Sequence, residues 1–214
     1  MRKESNQKNI LSILKSPIAR LSFSLFFGMI LNFIYIAGNL FAALNHKSLW
    51  SATLTVYHSL FLTLRFYLLS SSRRCKDDRQ ISQVCLRTGI LLLFLDLVAS
   101  IMMIYTIRRG SAVSYSGGVL LGFVIYTAYA LSSSILGMKR HANDNQPLQF
   151  AARNMTLAAA LMSVFNLQYS LLVSMGASSY IIDRIIALSG FSIFFVIILL
   201  AIRLVVKNLS GSRM

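Results

Sequence analysis

Five polar side chains lie inside apolar stretches of the sequence, where a polar group is costly unless it has a structural or functional role. Asp96 is near the middle of residues 87–109, a run that is apolar for about twenty residues between flanking arginines. The other four fall in two earlier apolar runs. Groups at such depths line the path of a solute or ion, or hydrogen-bond neighbouring helices. The candidate path residues are Asn32, Tyr57, His58, Arg65 and Asp96.

Asp96 and Arg65 have two alternative interpretations. At about 1.5 Å per residue, Asp96 would lie about 13 Å from the end of its helix, and Arg65 about 7 Å from the end of its own. In one interpretation the two charges pair inside the bundle. In the other, Arg65 extends to the headgroups and Asp96 is a neutral acid that hydrogen-bonds Asn32 or a hydroxyl. His58 is interpreted either as a packing residue or as part of the path, and Asn166 is expected to form an interhelical hydrogen bond.

Motifs typical of enzymes and metal sites are absent from the sequence. There is no HExxH, no glycine-rich phosphate loop, no GxSxG and no CxxC. Cys75 and Cys85 have a spacing that fits neither a redox pair nor a zinc cluster. The sequence therefore predicts no enzymatic activity, no cofactor and no metal site.

The composition indicates that lipid is the main solvent of this chain. Of its 214 residues 56% are hydrophobic and 13% are charged, and the mean hydropathy is +0.67, which is too apolar for a soluble domain. The net charge of +15 comes from residues concentrated between the apolar runs. We therefore expect the chain to contact a bilayer with anionic headgroups on its cytoplasmic side, together with a second copy or partner subunits, and not nucleic acid.

The apolar runs predict an all-α protein, a polytopic membrane bundle of six transmembrane helices. A basic cytoplasmic or interfacial segment at 1–20 would precede a membrane domain at 21–206, with a short basic tail at 207–214. The longest polar loop is expected at 70–86, and Trp50 is expected to anchor the second helix at the membrane interface. The predicted helices cover 21–44, 48–69, 87–109, 113–138, 150–175 and 185–206.

The distribution of basic residues predicts the orientation. Sixteen lie in the N-terminal segment, the second and fourth loops and the tail, and four lie in the other loops. This positive-inside bias predicts a multi-pass protein of a bacterial inner membrane with both termini in the cytoplasm. Arg20, Arg87 and Arg153 precede helices 1, 3 and 5 at separations of 67 and 66 residues. That spacing fits either three parallel two-helix repeats or the positive-inside rule alone.

Small residues recur along the fourth helix at positions separated by multiples of four. Such a stripe typically allows a neighbouring helix to approach closely. The predicted packing residues are Gly118, Gly122, Ala130 and Ser134.

Residues 32–69 (NFIYIAGNLFAALNHKSLWSATLTVYHSLFLTLRFYLL) combine a Ser-Leu-Trp sequence with a tyrosine-containing helix. This segment resembles a family of small uncharacterised bacterial membrane proteins with six helices and, more distantly, the membrane domain of cation diffusion facilitators. The latter family has six spans with both termini in the cytoplasm and binds metal through helices 2 and 5. Its ligand positions would correspond to Tyr57 and Phe61, which are poor Zn²⁺ ligands, and helix 5 lacks His-x-x-x-Asp. The resemblance implies this topology without metal transport.

Three functions stay open at this point. The first is a transporter-like protein with a polar path for a small solute or ion at the middle of the bilayer. The second is a membrane-embedded substrate-binding subunit of a larger importer, since such subunits have a similar size and helix number. The third is a structural or regulatory membrane protein.

Overall fold

The computed structural model describes residues 17–75, 77–109, 117–140 and 147–211. The regular structure in these ranges is entirely α-helical, so the all-α prediction is confirmed. Residues 1–16 of the predicted N-terminal segment lie outside the described residues, and 17–20 form the first turn of a helix. The six helices are α1 (Pro17–His46), α2 (Leu49–Arg74), α3 (Asp78–Arg109), α4 (Gly117–Arg140), α5 (Pro147–Ser174) and α6 (Ser179–Gly211).

Four of these helices are long and apolar enough to cross a membrane. Their candidate spans are Leu25–His46, Asp78–Tyr105, Pro147–Ser174 and Tyr180–Leu209. The apolar segment of α4 is shorter, Leu120–Leu136. α2 is less apolar because it carries serines, threonines, a histidine and three arginines besides its leucines and aromatic residues. Length and composition together indicate a helical membrane protein.

The polar stretch predicted as the longest loop is mostly helical. α2 continues to Arg74 and α3 begins at Asp78, so three residues separate them. The Cys75 amide donates a hydrogen bond of 2.9 Å to the Ser71 carbonyl at the end of α2. Asp78, in the first turn of α3, places a negative charge at the positive end of the helix dipole. The predicted loop is therefore wrong, because hydropathy marks the apolar part of a helix and not the point where the helix ends.

α5 is the central helix of the bundle. It packs against each of the other five helices. More than half of its membrane-capable segment is buried within the protein, compared with at most 39% in the other three candidate spans. Ala151, Ala158 and Ala160 are fully buried, and small side chains of this kind let neighbouring helices approach closely. The remaining helices surround α5 and present large apolar side chains such as Phe33 and Phe191 on the outer surface.

The small residues of α4 have two different environments. Ala130 and Ser134 are buried, and the Ser134 hydroxyl donates a hydrogen bond of 2.7 Å to the Ala130 carbonyl. Gly118 and Gly122 are exposed, and a Cβ added at either would meet no described atom within 4 Å. No described helix of this chain therefore packs against the two glycines, and their role in helix packing stays a prediction. At about 3.6 residues per turn, each step of four residues rotates the position by about 40°, so a long stripe leaves its starting face.

Candidate polar site inside the bundle

All five candidate path residues are buried. Asn32 from α1, His58 from α2 and Asp96 from α3 are 0% exposed, and Tyr57 and Arg65 from α2 are 3% exposed. Each of them also has polar atoms that make no hydrogen bond with any described residue. These atoms are both amide atoms of Asn32, the Tyr57 hydroxyl, both ring nitrogens of His58, Nε of Arg65 and both carboxyl oxygens of Asp96.

The helical period explains how α1 and α2 supply most of these groups. Asn32 and Asn39 are two turns apart on α1, and both are fully buried. His58 and Arg65 have the same separation on α2, so they share one face of that helix. The Asn39 amide donates to the Tyr35 carbonyl at 2.9 Å, while its carbonyl oxygen has no partner among the described residues. One face of each helix is therefore polar and directed into the protein.

Tyr35 is a central residue of this region that the sequence did not single out. Its ring centroid lies 4.3 Å from that of His58, 5.2 Å from Phe123 and 5.0 Å from Tyr126. It thereby joins α1, α2 and α4. An aromatic residue in an apolar run carries no polarity signal. The indication available in the sequence was that Tyr35 lies three residues after Asn32 and therefore on the same face of the helix.

A hydrogen-bond chain closes the region on the side of the central helix. The Trp50 indole N–H donates to the Asn166 carbonyl oxygen at 2.9 Å, and the Asn166 amide donates to the Tyr35 hydroxyl. Trp50 is 2% exposed, and its ring contacts Phe165 and Tyr169. The predicted interhelical role of Asn166 is confirmed. The prediction that Trp50 anchors the chain at the membrane interface is wrong, because its N–H has a partner inside the bundle.

Arg65 points between helices rather than outward. Its guanidinium lies against Gly28 of α1 so closely that a Cβ added there would overlap it. It is also near enough to His58 and to Tyr126 of α4 to interact with both electrostatically. With 3% of the residue exposed, the interpretation in which Arg65 extends along the outer surface to the headgroups is wrong.

Asp96 has none of the side-chain partners considered from the sequence. Neither of its carboxyl oxygens bonds a described residue, so it forms no ion pair with Arg65 and no hydrogen bond with Asn32. The Asp96 carbonyl of the main chain accepts from the Ser100 hydroxyl at 2.8 Å. The side chain lies close enough to the Tyr57 hydroxyl for an electrostatic interaction. Asp96 and Arg65 are thus two buried ionisable groups with separate surroundings.

No protein-family model, curated protein or solved structure matches this chain. Its chemistry therefore has to be derived from the site. The five side chains offer an amide, a phenol, an imidazole, a guanidinium and a carboxyl group, so they include both hydrogen-bond donors and acceptors. Within the described ranges there is no group of three or more His, Cys, Asp and Glu side chains that could hold a metal ion. The ring centroids of Tyr57 and Phe61 lie 5.3 Å apart. This arrangement is suited to holding a small polar molecule or ion by hydrogen bonds and charge.

Proposed function

We propose that this protein is a small membrane transporter whose interior polar site carries a small solute or ion across the bilayer. The observation that supports it is the set of buried polar atoms of Asn32, Tyr57, His58, Arg65 and Asp96 that lack hydrogen bonds with described residues. Leaving one such group unsatisfied costs about 1–3 kcal/mol. More than about 90% of buried polar groups in folded proteins have a partner. These exceptions lie on α2 and on α1 and α3, which both pack against α2, and they fit a site whose partners arrive with the transported species.

The proposed topology has six spans, a multi-pass arrangement in a cell membrane and both termini in the cytoplasm. The bias of sixteen basic residues to four supports the orientation. α2 is the least apolar of the proposed spans, yet it packs against α1, α3 and α5. Its buried Tyr57, His58 and Arg65 face these helices rather than lipid. Ionisable residues in membrane helices face the bundle interior in this way.

A second candidate function is a substrate-binding subunit of a larger importer. The exposed Gly118 and Gly122 of α4 favour it, because no described helix of this chain covers them and small residues allow a helix of another subunit to approach. The interior site would have the same chemistry in both functions. The difference is that the subunit would need an ATPase partner to move its substrate.

Reconstitution of the purified protein in liposomes tests the first proposal. We expect a panel of small polar solutes and ions, applied across the vesicle membrane, to give a flux that Asp96→Asn lowers by about tenfold or more through loss of a charge-assisted contact. Asp183→Asn is the matched control, because Asp183 is exposed at the start of α6. The two variants should melt within about 3 °C of the parent protein.

The flux assay has two outcomes that contradict the transporter proposal. One is equal flux in the Asp96→Asn and parent proteins. The other is no flux above empty liposomes combined with copurification of an ATPase, which would establish the importer subunit instead.

A further inference from the structure

A polar cavity that is open to the outside lies away from the interior site, at the end of the bundle where α2 ends and α3 begins. It has a volume of about 340 Å³, which is within the range of small-molecule sites. Its lining is Tyr67, Ser70, Ser71, Arg74, Cys75, Gln80, Gln83, Val84 and Arg87.

Matching spacing on two helices creates this cavity. Its α2 residues lie at positions 67, 70, 71 and 74, and its α3 residues at positions 80, 83, 84 and 87. Each set has the spacing of one helix face, with residues three, four and seven positions apart. The two faces meet beyond the apolar contact that α2 and α3 make deeper in the bundle. Each face contributes one arginine, and Cys75 joins the two sides.

Among the described residues that line the cavity, two carry a positive charge and none carries a carboxylate. Arg74 and Arg87 are both exposed, and neither forms a hydrogen bond or an ion pair with a described residue. Asp77 and Asp78 follow closely in the sequence but do not line the cavity. The guanidinium groups are therefore available to a ligand that enters from outside.

The hydrogen-bonding groups of the lining match an oxyanion with several acceptor oxygens. Arginine binds phosphate oxygens through two parallel N–H bonds. The amide groups of Gln80 and Gln83 and the hydroxyls of Tyr67, Ser70 and Ser71 add further donors. The two guanidinium groups and the five additional donor groups offer more hydrogen bonds than a single carboxylate can accept. The oxygens of a phosphate group point in several directions and can accept more of them.

We propose that this cavity binds a phosphate group, carried either by the headgroup of an anionic lipid or by a soluble compound. Both sources have access to it. Arg87 lies three residues before Ile90, where the apolar part of α3 begins, so the proposed topology puts the cavity at headgroup level on the side with most of the basic residues. The site is separate from the interior polar cluster and does not depend on the transporter proposal.

Thermal melting of the detergent-solubilised full chain with three probes tests this site. The probes are inorganic phosphate, phosphatidic acid, and diacylglycerol with the same acyl chains as the lipid, which lacks only the phosphate. We expect phosphatidic acid, inorganic phosphate or both to raise the melting temperature, and diacylglycerol not to raise it. Stabilisation by phosphatidic acid alone would identify a lipid headgroup as the ligand. Stabilisation by both would show that a soluble phosphate is sufficient.

The variants Arg74→Gln and Arg87→Gln should each weaken phosphate binding by about tenfold or more, because each removes charge-assisted hydrogen bonds. Arg79→Gln is the matched control, since Arg79 is an exposed arginine of the same segment that does not line the cavity. All three variants should melt close to the parent protein without a probe. The proposal is overturned if neither phosphate probe stabilises the parent protein, or if Arg79→Gln weakens binding as much as the other two.

Discussion

Asp96 and Arg65 are buried ionisable residues whose side chains do not bond each other. Arg65 contacts Gly28 of α1, while Asp96 lies near Tyr57. Opposite charges in a membrane bundle commonly pair, since each offsets the desolvation cost of the other. Their separation here leaves both groups available to a third partner, which is the chemical basis of the proposed path.

A double-mutant cycle tests this separation. We expect the changes in unfolding free energy of Asp96→Leu and Arg65→Leu to add within about 0.5 kcal/mol, because the two side chains share no contact. Melting of the two single variants and the double variant in detergent measures it. A double variant that is more stable than the sum of the two single effects predicts, by more than about 0.5 kcal/mol, would mean that the two charges interact.

The contact between Gly28 and Arg65 gives a second prediction at the residue scale. Gly28→Ala should displace the guanidinium, because the added methyl group would occupy its position. Gly38→Ala is the matched control on the same helix, since a Cβ there meets nothing within 4 Å of the described chain. The control should be neutral or stabilising by up to about 1 kcal/mol, as expected for alanine in a helix.

The readout for this pair is melting of each glycine variant in the parent and in the Arg65→Gln background. The loss of stability caused by Gly28→Ala should be smaller in the Arg65→Gln background, because the glutamine side chain is shorter than the arginine side chain that the methyl group would displace. Equal costs in both would show that another neighbour limits the space at Gly28.

At the scale of elements, α1, α2 and α5 are joined by the chain of hydrogen bonds from Trp50 through Asn166 to Tyr35. Trp50→Phe keeps an aromatic ring but removes the N–H donor, so the Asn166 oxygen loses its partner. We expect a loss of about 1–3 kcal/mol in the free energy of unfolding, the cost of leaving a buried acceptor unsatisfied. Melting in detergent measures the change.

The control for the tryptophan is the double variant Trp50→Phe, Asn166→Leu. The double variant should lose less stability than the two single variants added together, because each single variant already breaks the Trp50–Asn166 hydrogen bond. Asn166→Leu alone measures the further loss of the hydrogen bond to the Tyr35 hydroxyl. If the double variant loses as much free energy of unfolding as the two single variants added together, or more, the hydrogen bond is not what Trp50 contributes.

The sequence predicted the positions of the helices well, but it predicted the helix ends and the contacts of individual side chains poorly. Apolar runs located all six helices, because each helix contains a long segment of mainly apolar residues. They did not locate the end of α2, which continues into polar surroundings up to Arg74. The five polar residues of the candidate site were recognisable by their depth, and all five are buried. The sequence did not reveal the role of Tyr35 or the inward position of Trp50, because aromatic residues occur in contact with lipid, at the membrane interface and in the protein interior.

The whole molecule is organised around α5, and α2 packs against α1, α3 and α5 although its own hydropathy does not mark it as a membrane span. This distinction leaves two ways to place the chain in a bilayer. If all six helices cross and the N-terminus is cytoplasmic as proposed, the connection between α2 and α3 is cytoplasmic. If only the four most apolar helices cross, the same connection lies outside, whereas the turn between α5 and α6 is outside in both arrangements.

Cysteine accessibility in intact cells separates the two arrangements. In a background with Cys75→Ser and Cys85→Ala, single cysteines are placed at Asp77 and at Ser178, which are both exposed and lie between helices. We expect a membrane-impermeant thiol reagent to label Ser178→Cys and to spare Asp77→Cys until the cells are permeabilised, because the basic residues around Asp77 favour the cytoplasmic side. Labelling of Asp77→Cys in intact cells would instead place α2 outside the set of spanning helices. The buried polar side chains of α2 would then lie outside the bilayer, and the proposed path through it would have to be abandoned.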